Sequence, residues 1–303
     1  MGMDIALYPF LLNSVNNVGY KLDKEYSDIQ GVYGYNGVLS TSYDVDFRNF
    51  FYKYFNEFCI KKNIIAEFIR YNPIIKNHEF CVEDNPIYVL DNVLIDLQLS
   101  LEDIWMQSFD NGVRKAVKKG KTHNLVLESY TGEHLNNDLL SEFIKIYHST
   151  MDRNSAGKFY YFNSEYFHNV IKLLPNNSLF SFVKKDNRII SVELNYFYGM
   201  YAYGFCGGTS SEFYKFSPNS FLRYELIKVL KDWGIKYYSI GGGLVKNDSK
   251  YKFKKSFSKH IDNKFFISKK IHNKKIYDEV IRQWELKFNP LVDNKLLKYR
   301  CTK

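Results

Sequence analysis

Apolar residues at positions 47, 50, 51, 54, 55 and 58 recur at the i, i+3, i+4 spacing of a helix that buries one face. Asp44 or Asp46 precedes them, placed to cap that helix by accepting a bond from a free backbone N–H. The run Ile64-Ile65-Ala66-Glu67-Phe68-Ile69 then reads as a strand, and Gly31 to Thr41 as a strand and turn. Ile87 to Leu90 and Val93 to Leu97 suggest a short hairpin around Asp91-Asn92. A helical pattern from Leu101 to Lys119 meets Gly120, a common stop, which places a junction between residues 1–120 and 121–303. Beyond it come a strand at Leu125 to Glu128, helices marked by Leu139 to Met151 and by Glu165 to Leu174, and three strands in succession (179–184, 189–198, 200–206). A helix at 219–233, a strand at 235–240 and an amphipathic helix at 276–288 complete the pattern, which predicts an α/β chain with mixed sheets.

The halves echo each other. Tyr33-Gly34-Tyr35-Asn36-Gly37 returns 170 positions later as Tyr203-Gly204-Phe205-Cys206-Gly207, and a helix and a strand follow each copy. The shared order predicts two related domains, with the substrate expected in a cleft between them. Composition alone accounts for part of the match, because the chain is rich in Tyr, Phe, Gly and Asn.

Forty-two Lys and Arg against 33 Asp and Glu give a net charge of +9, which suits phosphate, a nucleotide, RNA or an acidic lipid surface as partner. An AT-rich coding sequence yields the same Lys-rich composition. The one basic cluster, Arg114 to Lys121, reads either as a contact to membrane or phosphate or as a solvated helix face. Cys59, Cys81, Cys206 and Cys301 are far apart and the histidines are scattered, so no metal site and no disulfide framework is expected. A start lacking a basic region and a long apolar core, with no run of about 18 apolar residues, predicts a cytoplasmic protein.

Tyr147 to Arg153, the block Phe159-Tyr160-Tyr161-Phe162, Pro218 to Glu225, Gly241-Gly242-Gly243 and Tyr251 to Phe257 resemble, in order and spacing, the Fem family. In the first half Tyr33 to Gly37 and Glu67 to Pro73 agree as well. Members of that family are peptidoglycan-bridge aminoacyltransferases built from two GNAT (N-acetyltransferase) folds. The resemblance implies tandem GNAT-like domains, residues 1–120 on the acceptor side and 121–303 carrying acyl transfer, without the long helical arm of some members. It implies a donor that is aminoacyl-tRNA or acyl-coenzyme A, no tightly bound cofactor, and a nucleotide- or lipid-linked glycan precursor as acceptor. Contacts to tRNA and to the membrane periphery belong to the same expectation.

Acyl transfer to an amine needs a donor carbonyl held near the nucleophile and positive charge facing the developing oxyanion. The family places a Phe-Lys pair equivalent to Phe253-Lys254 in the substrate channel, which makes Lys254 the candidate for that charge; other lysines nearby make it equally an ordinary surface cation. Arg70 ends a strand, where a guanidinium grips phosphate bidentately or pairs with Glu67. Tyr33 and Tyr35 stand on the adjacent turn, to position a sugar or to pack. Arg153 and Tyr160 are candidate contacts to the acceptor. Glu193 lies where GNAT enzymes sometimes keep a general base, unless alternation turns it to solvent.

Ser217, Asn219 and Ser220 open a helix at the turn that in GNAT folds cradles the pyrophosphate of coenzyme A, with a plain N-cap as the alternative. The glycine-rich acetyltransferase pattern is absent between Phe213 and Leu230, which counts against coenzyme A. Gly241 and Gly242 would let backbone approach an acyl chain closely. Two readings compete: an acyltransferase acting on a cell-envelope precursor, with an acyl-coenzyme A-dependent N-acetyltransferase as variant, and a non-catalytic module that binds glycan or RNA.

Overall fold

The protein is described by a computed structural model covering residues 3–81, 84–259, 262–288 and 295–301. Strands β1 (Ala6–Leu7), β2 (Leu11–Ser14), β3 (Ser27–Gln30) and β4 (Leu39–Ser40) come first. Helix α1 (Val45–Lys61), β5 (Ile64–Arg70) and β6 (Ile87–Asp96) follow. Next are α2 (Leu101–Asp103), α3 (Asn111–Thr122), β7 (Val126–Thr131), α4 (Asn137–Arg153) and α5 (Ser164–Leu173). Strands β8 (Ser178–Lys185), β9 (Arg188–Tyr198) and β10 (Tyr201–Thr209) lead to α6 (Pro218–Asp232) and β11 (Tyr237–Gly241). Helix α7 (Ser249–Lys255), β12 (Asp262–Ile271) and α8 (Lys274–Lys287) end the chain's regular structure.

Two compact units result, one of Met1–Leu90 with Lys264–Lys303 and the other of Asp91–Asn263. The expected junction at 120/121 falls inside the second unit, at the end of α3, because α3 packs Val113 and Val117 against Phe221 and Leu222 of α6 in a single core. The last amphipathic helix, expected in the second half, is in the first unit.

In the first unit the strands run β2-β3-β5-β12, with β3 and β5 parallel and the other pairs antiparallel. Tyr52, Phe55 and Cys59 are the buried face of α1; of the expected stripe only Phe55 is buried, and Phe50 and Tyr54 are exposed because the face turned to the sheet is rotated from it. Ile276, Val280 and Trp284 are the buried face of α8, as the spacing predicts. Tyr33 to Gly37, the first copy of the echo, forms a turn rather than a strand. Gly34 and Gly37 take φ of 120° and 99°, which side chains rarely adopt, and Asn36 Oδ1 accepts from the Arg70 amide at 2.7 Å.

In the second unit the order is β6-β11-β10-β9-β8-β7, with only β10 and β11 parallel. Helices cover both faces. Phe180, Phe182, Val192 and Leu194 pack with α4 and α5, while Leu179, Val183, Ala202 and Tyr238 pack with α3 and α6. The expected hairpin at 87–97 is instead one strand, β6. Val93, Leu94 and Ile95 are buried and pair with β11, and Asn92 is itself buried, so Asp91-Asn92 continues the extended chain. The helix expected over 101–119 is broken at Phe109, which is fully buried, and restarts with Asp110 as its cap. Gly120 lies within α3 and is not its stop. A Cβ there would come within 2.8 Å of the Phe221 side chain, so glycine lets α3 and α6 approach, and Asn124, at φ 54°, follows the helix end.

Among the described residues no helix is long and apolar enough to cross a membrane.

Candidate active site

Strands β10 and β11 pair only over Tyr201–Tyr203 with Tyr237–Ser239, although β10 continues to Thr209 and β11 to Gly241. Past that point the two strands no longer pair, and β10 carries a bulge at Phe205 between Gly204 and Cys206. A parallel pair that parts in this way leaves a notch at its C-terminal ends, where ligands of open α/β sheets commonly bind.

Lys254 stands at that end. Asp248 caps α7 by accepting from the Tyr251 amide at 2.7 Å, and its other oxygen takes the amides of Leu244 and Val245, fixing the loop from β11 into the helix. Those backbone donors hold the Asp248 carboxyl below its usual range. Lys254 donates to the Gly242 carbonyl at 2.8 Å. Burial, with the Arg223 charge second, lowers its ammonium to about 8, while Glu193 acts in the opposite direction.

The three glycines are required by the protein itself. Gly241 has φ 71°, and a Cβ on it would stand 3.3 Å from Lys254 Nζ. A Cβ on Gly242 would meet Asn92 Oδ1 at 2.6 Å and the Asp91 carbonyl at 2.7 Å, and one on Gly243 would meet Asp248 at 2.3 Å. Their close approaches are thus to β6 and to the α7 cap. Gly242→Ala is expected to displace the carbonyl that holds Lys254, at a cost of about 1–3 kcal/mol for the overpacking. Unchanged melting and an unchanged Lys254 NMR environment would show that the loop yields freely.

Glu193 is buried, and both its oxygens are taken. Arg223 Nη2 donates to one at 2.7 Å and the Tyr238 hydroxyl to the other at 2.6 Å. Each oxygen thus accepts one charge-assisted or phenolic bond, which makes Glu193 the anchor of Arg223. The Tyr238 hydroxyl is raised well above its usual value by burial and by Glu193. Burial is the largest influence and opposes the Arg223 charge, but Glu193 and Tyr238 together outweigh it and raise the guanidinium. Arg223 Nε and Nη1 are buried without a partner, as are both polar atoms of the Asn195 side chain.

The start of α6 has no side-chain cap: Ser217 takes a left-handed φ of 56°, Pro218 occupies the first turn, Asn219 is exposed and Ser220 buried. First-turn N–H groups at such a start await solvent or an anion. Arg153 is spent on the same region. It donates to the Thr209 carbonyl at 3.1 Å and to Thr150 at 3.2 Å and lies over the Tyr214 ring, bracing the end of β10 and the loop before α6. The Tyr160 carbonyl accepts from the Tyr147 hydroxyl, and Phe253, partly exposed, packs edge-on against Phe257.

In the first unit, Arg70 donates from Nε to the Gly34 carbonyl at 2.9 Å and lies 5.3 Å over the Phe265 ring, against which Tyr35 also packs. Its expected alternative partner is engaged elsewhere, because Glu67 takes the Tyr8 hydroxyl and, at 2.8 Å, His272. No carboxylate pairs with Arg70 among the described residues. Tyr33 is half exposed.

An acetyltransferase (GNAT) domain model matches residues 107–254, a little under half of the chain, and includes Glu193, Arg223, Tyr238, Lys254 and the start of α6. Residues 107–254 are a GNAT acyltransferase domain. The fold likeness reaches past it. FemX aligns with a TM-score of 0.63 at 14% identity over 90% of each chain. L-PGS from Bacillus licheniformis gives 0.57 at 11% identity over 92% of this chain and 85% of that one. The C-terminal domain of a candidate lysylphosphatidylglycerol synthetase from Agrobacterium fabrum gives 0.55 at 12% over 94% and 90%. At these identities the likeness is one of fold. The fold is Fem-like, as the sequence resemblance implies. No curated protein matches the sequence.

Proposed function

We propose that the chain is an N-acyltransferase that moves an acyl group onto an amine of a cell-envelope precursor, a peptidoglycan stem peptide or an amino sugar of a surface polysaccharide. The observation that carries this reading is Lys254, a half-buried cation held at the Gly242 carbonyl where β10 and β11 part. An ammonium with depleted hydration can stabilise the oxyanion formed when an amine attacks an acyl carbonyl. The uncapped start of α6, with Ser217, Asn219 and Ser220, is the candidate seat of the donor's phosphates.

An acyl thioester of coenzyme A is the first choice of donor, because the whole notch lies in the GNAT domain. Aminoacyl-tRNA is the second, favoured by the fold shared with FemX and L-PGS. Both carry phosphate, which suits the chain's net charge of +9. Arg70, stacked on Phe265 and without a carboxylate partner among the described residues, is the candidate grip for the phosphate of a nucleotide- or lipid-linked acceptor, with Tyr33 and Tyr35 near it in the chain.

The test is a melting and turnover panel of acetyl-coenzyme A, charged tRNA and UDP-linked amino-sugar precursors. A true donor at about 100 times its dissociation constant adds roughly 2.7 kcal/mol of apparent stability. Salt-sensitive binding of glycan or RNA with no consumption of either donor would replace this reading with that of a binding module.

A further inference from the structure

Glu193 is engaged by Arg223 and Tyr238, and Lys254 is the titratable group that stands at the notch itself. The Lys254 carbonyl accepts from the Phe257 amide at 3.0 Å, and Phe257 lies under a buried assembly drawn from several elements. Arg223 projects from α6, is fixed at 2.7 Å by Glu193 of β9, and lies 5.6 Å over the ring of Phe257, just past α7; Tyr238 of β11 secures the other Glu193 oxygen at 2.6 Å. The assembly is under-satisfied, since Arg223 Nε and Nη1 have no partner. A buried guanidinium left with unmet donors weakens a core, so its retention calls for a use.

We propose that Lys254 carries the proton of the transfer and that Arg223, locked by Glu193 and Tyr238, is the positioning residue that keeps it ready to do so. This rests on the transfer reading above. The neutral Lys254 amine takes the proton that the attacking amine sheds as its nitrogen bonds to the acyl carbon. The ammonium so formed returns that proton to the departing thiolate or ribose oxygen as the C–S or C–O bond breaks, and the lysine ends as it began. A group that gives up and regains a proton in each cycle works best with an affinity near ambient pH, and the value of about 8 at Lys254 meets that condition. The charges bearing on Lys254 are Arg223 from α6, Glu193 from β9, and Lys250 and Asp248 from its own helix and cap; the cations lower its affinity for the proton and the carboxylates raise it.

The test titrates Lys254 directly in the full chain. Lysines are dimethylated with 13C-formaldehyde and followed by NMR, the Lys254 signal being the one lost in Lys254→Arg. Its midpoint is expected near 8, well below the ordinary value of a free lysine, about 10.4. Arg223→Met should raise the midpoint by about one unit or more, and Arg223→Lys should largely restore it. Glu193→Gln, which preserves shape and leaves Arg223 charged, should lower it, so the prediction can be decided even if Arg223→Met fails to fold. A wild-type midpoint at the ordinary lysine value of about 10.4, or one that neither Arg223→Met nor Glu193→Gln moves, overturns the proposal. No donor or acceptor enters this titration, so the absence of turnover in the melting panel would sink the transfer reading without touching the positioning result.

Discussion

Lys254→Met is expected to lower the transfer rate by about 10²–10³-fold, the range seen when a single oxyanion-stabilising donor is removed, while leaving the melting temperature nearly unchanged. The side chain is half-buried and, among the described residues, donates one hydrogen bond, to the Gly242 carbonyl. Removing it costs little packing, because methionine fills the stem's volume. Substrate binding should change less than turnover, since the charge is wanted most where negative charge develops. Lys254→Arg separates the two uses of this residue. Arginine keeps the cation but does not release its proton in the working pH range, so a variant near wild-type rate would mean that charge alone matters. A loss as deep as that of Lys254→Met would mean that the proton must move. The expectation is the deeper loss. Single-turnover rates across pH 6 to 10, at about saturating donor, make the comparison.

Lys254 is also a measure of what the sequence discloses. Its place beside Phe253 stands out only through the resemblance to a family, since lysines crowd that stretch. The helices were legible wherever an apolar stripe met a polar one: α1, α4, α5, α6 and α8 lie close to their expected spans. Strands β8 to β10 were legible from apolar runs parted by Asp186-Asn187 and Gly199, which take positive φ. Strand β12 passed unread because its lysines at 264, 269 and 270 dilute the alternation. The broken helix at 101–122 was missed because a buried Phe109 followed by a capping Asp110 has the same apolar spacing as an unbroken turn.

Arg223, Tyr238 and Asn195 went unnoticed for a more instructive reason. Along β9 the residues Ser191, Glu193 and Asn195 alternate with Val192 and Leu194, which reads as a strand wet on one side. Helices cover both faces of this sheet, so the polar row is buried at 1%, 6% and 0% exposure. A signal was available in α6. Arg223 falls on the same buried stripe as Ser220, Ile227 and Leu230, and a charge at a core position predicts a buried counter-charge on the strand beneath.

That buried pair sets the second large effect. Arg223→Leu or Glu193→Leu alone should destabilise the protein by about 3–5 kcal/mol, because each leaves its partner charged and buried without compensation. Both side chains are about a tenth exposed, so water offers the survivor little relief. The double variant should cost far less than the sum, since two leucines abolish the desolvation penalty along with the attraction, and the unmet Arg223 donors disappear with them. Urea unfolding of the four proteins at pH 7 measures the cycle, and additive costs would mean that the pair contributes no coupling. A double variant as stable as the parent yet lacking a perturbed lysine would show that the pair is retained for the chemistry at Lys254, against the interest of the fold.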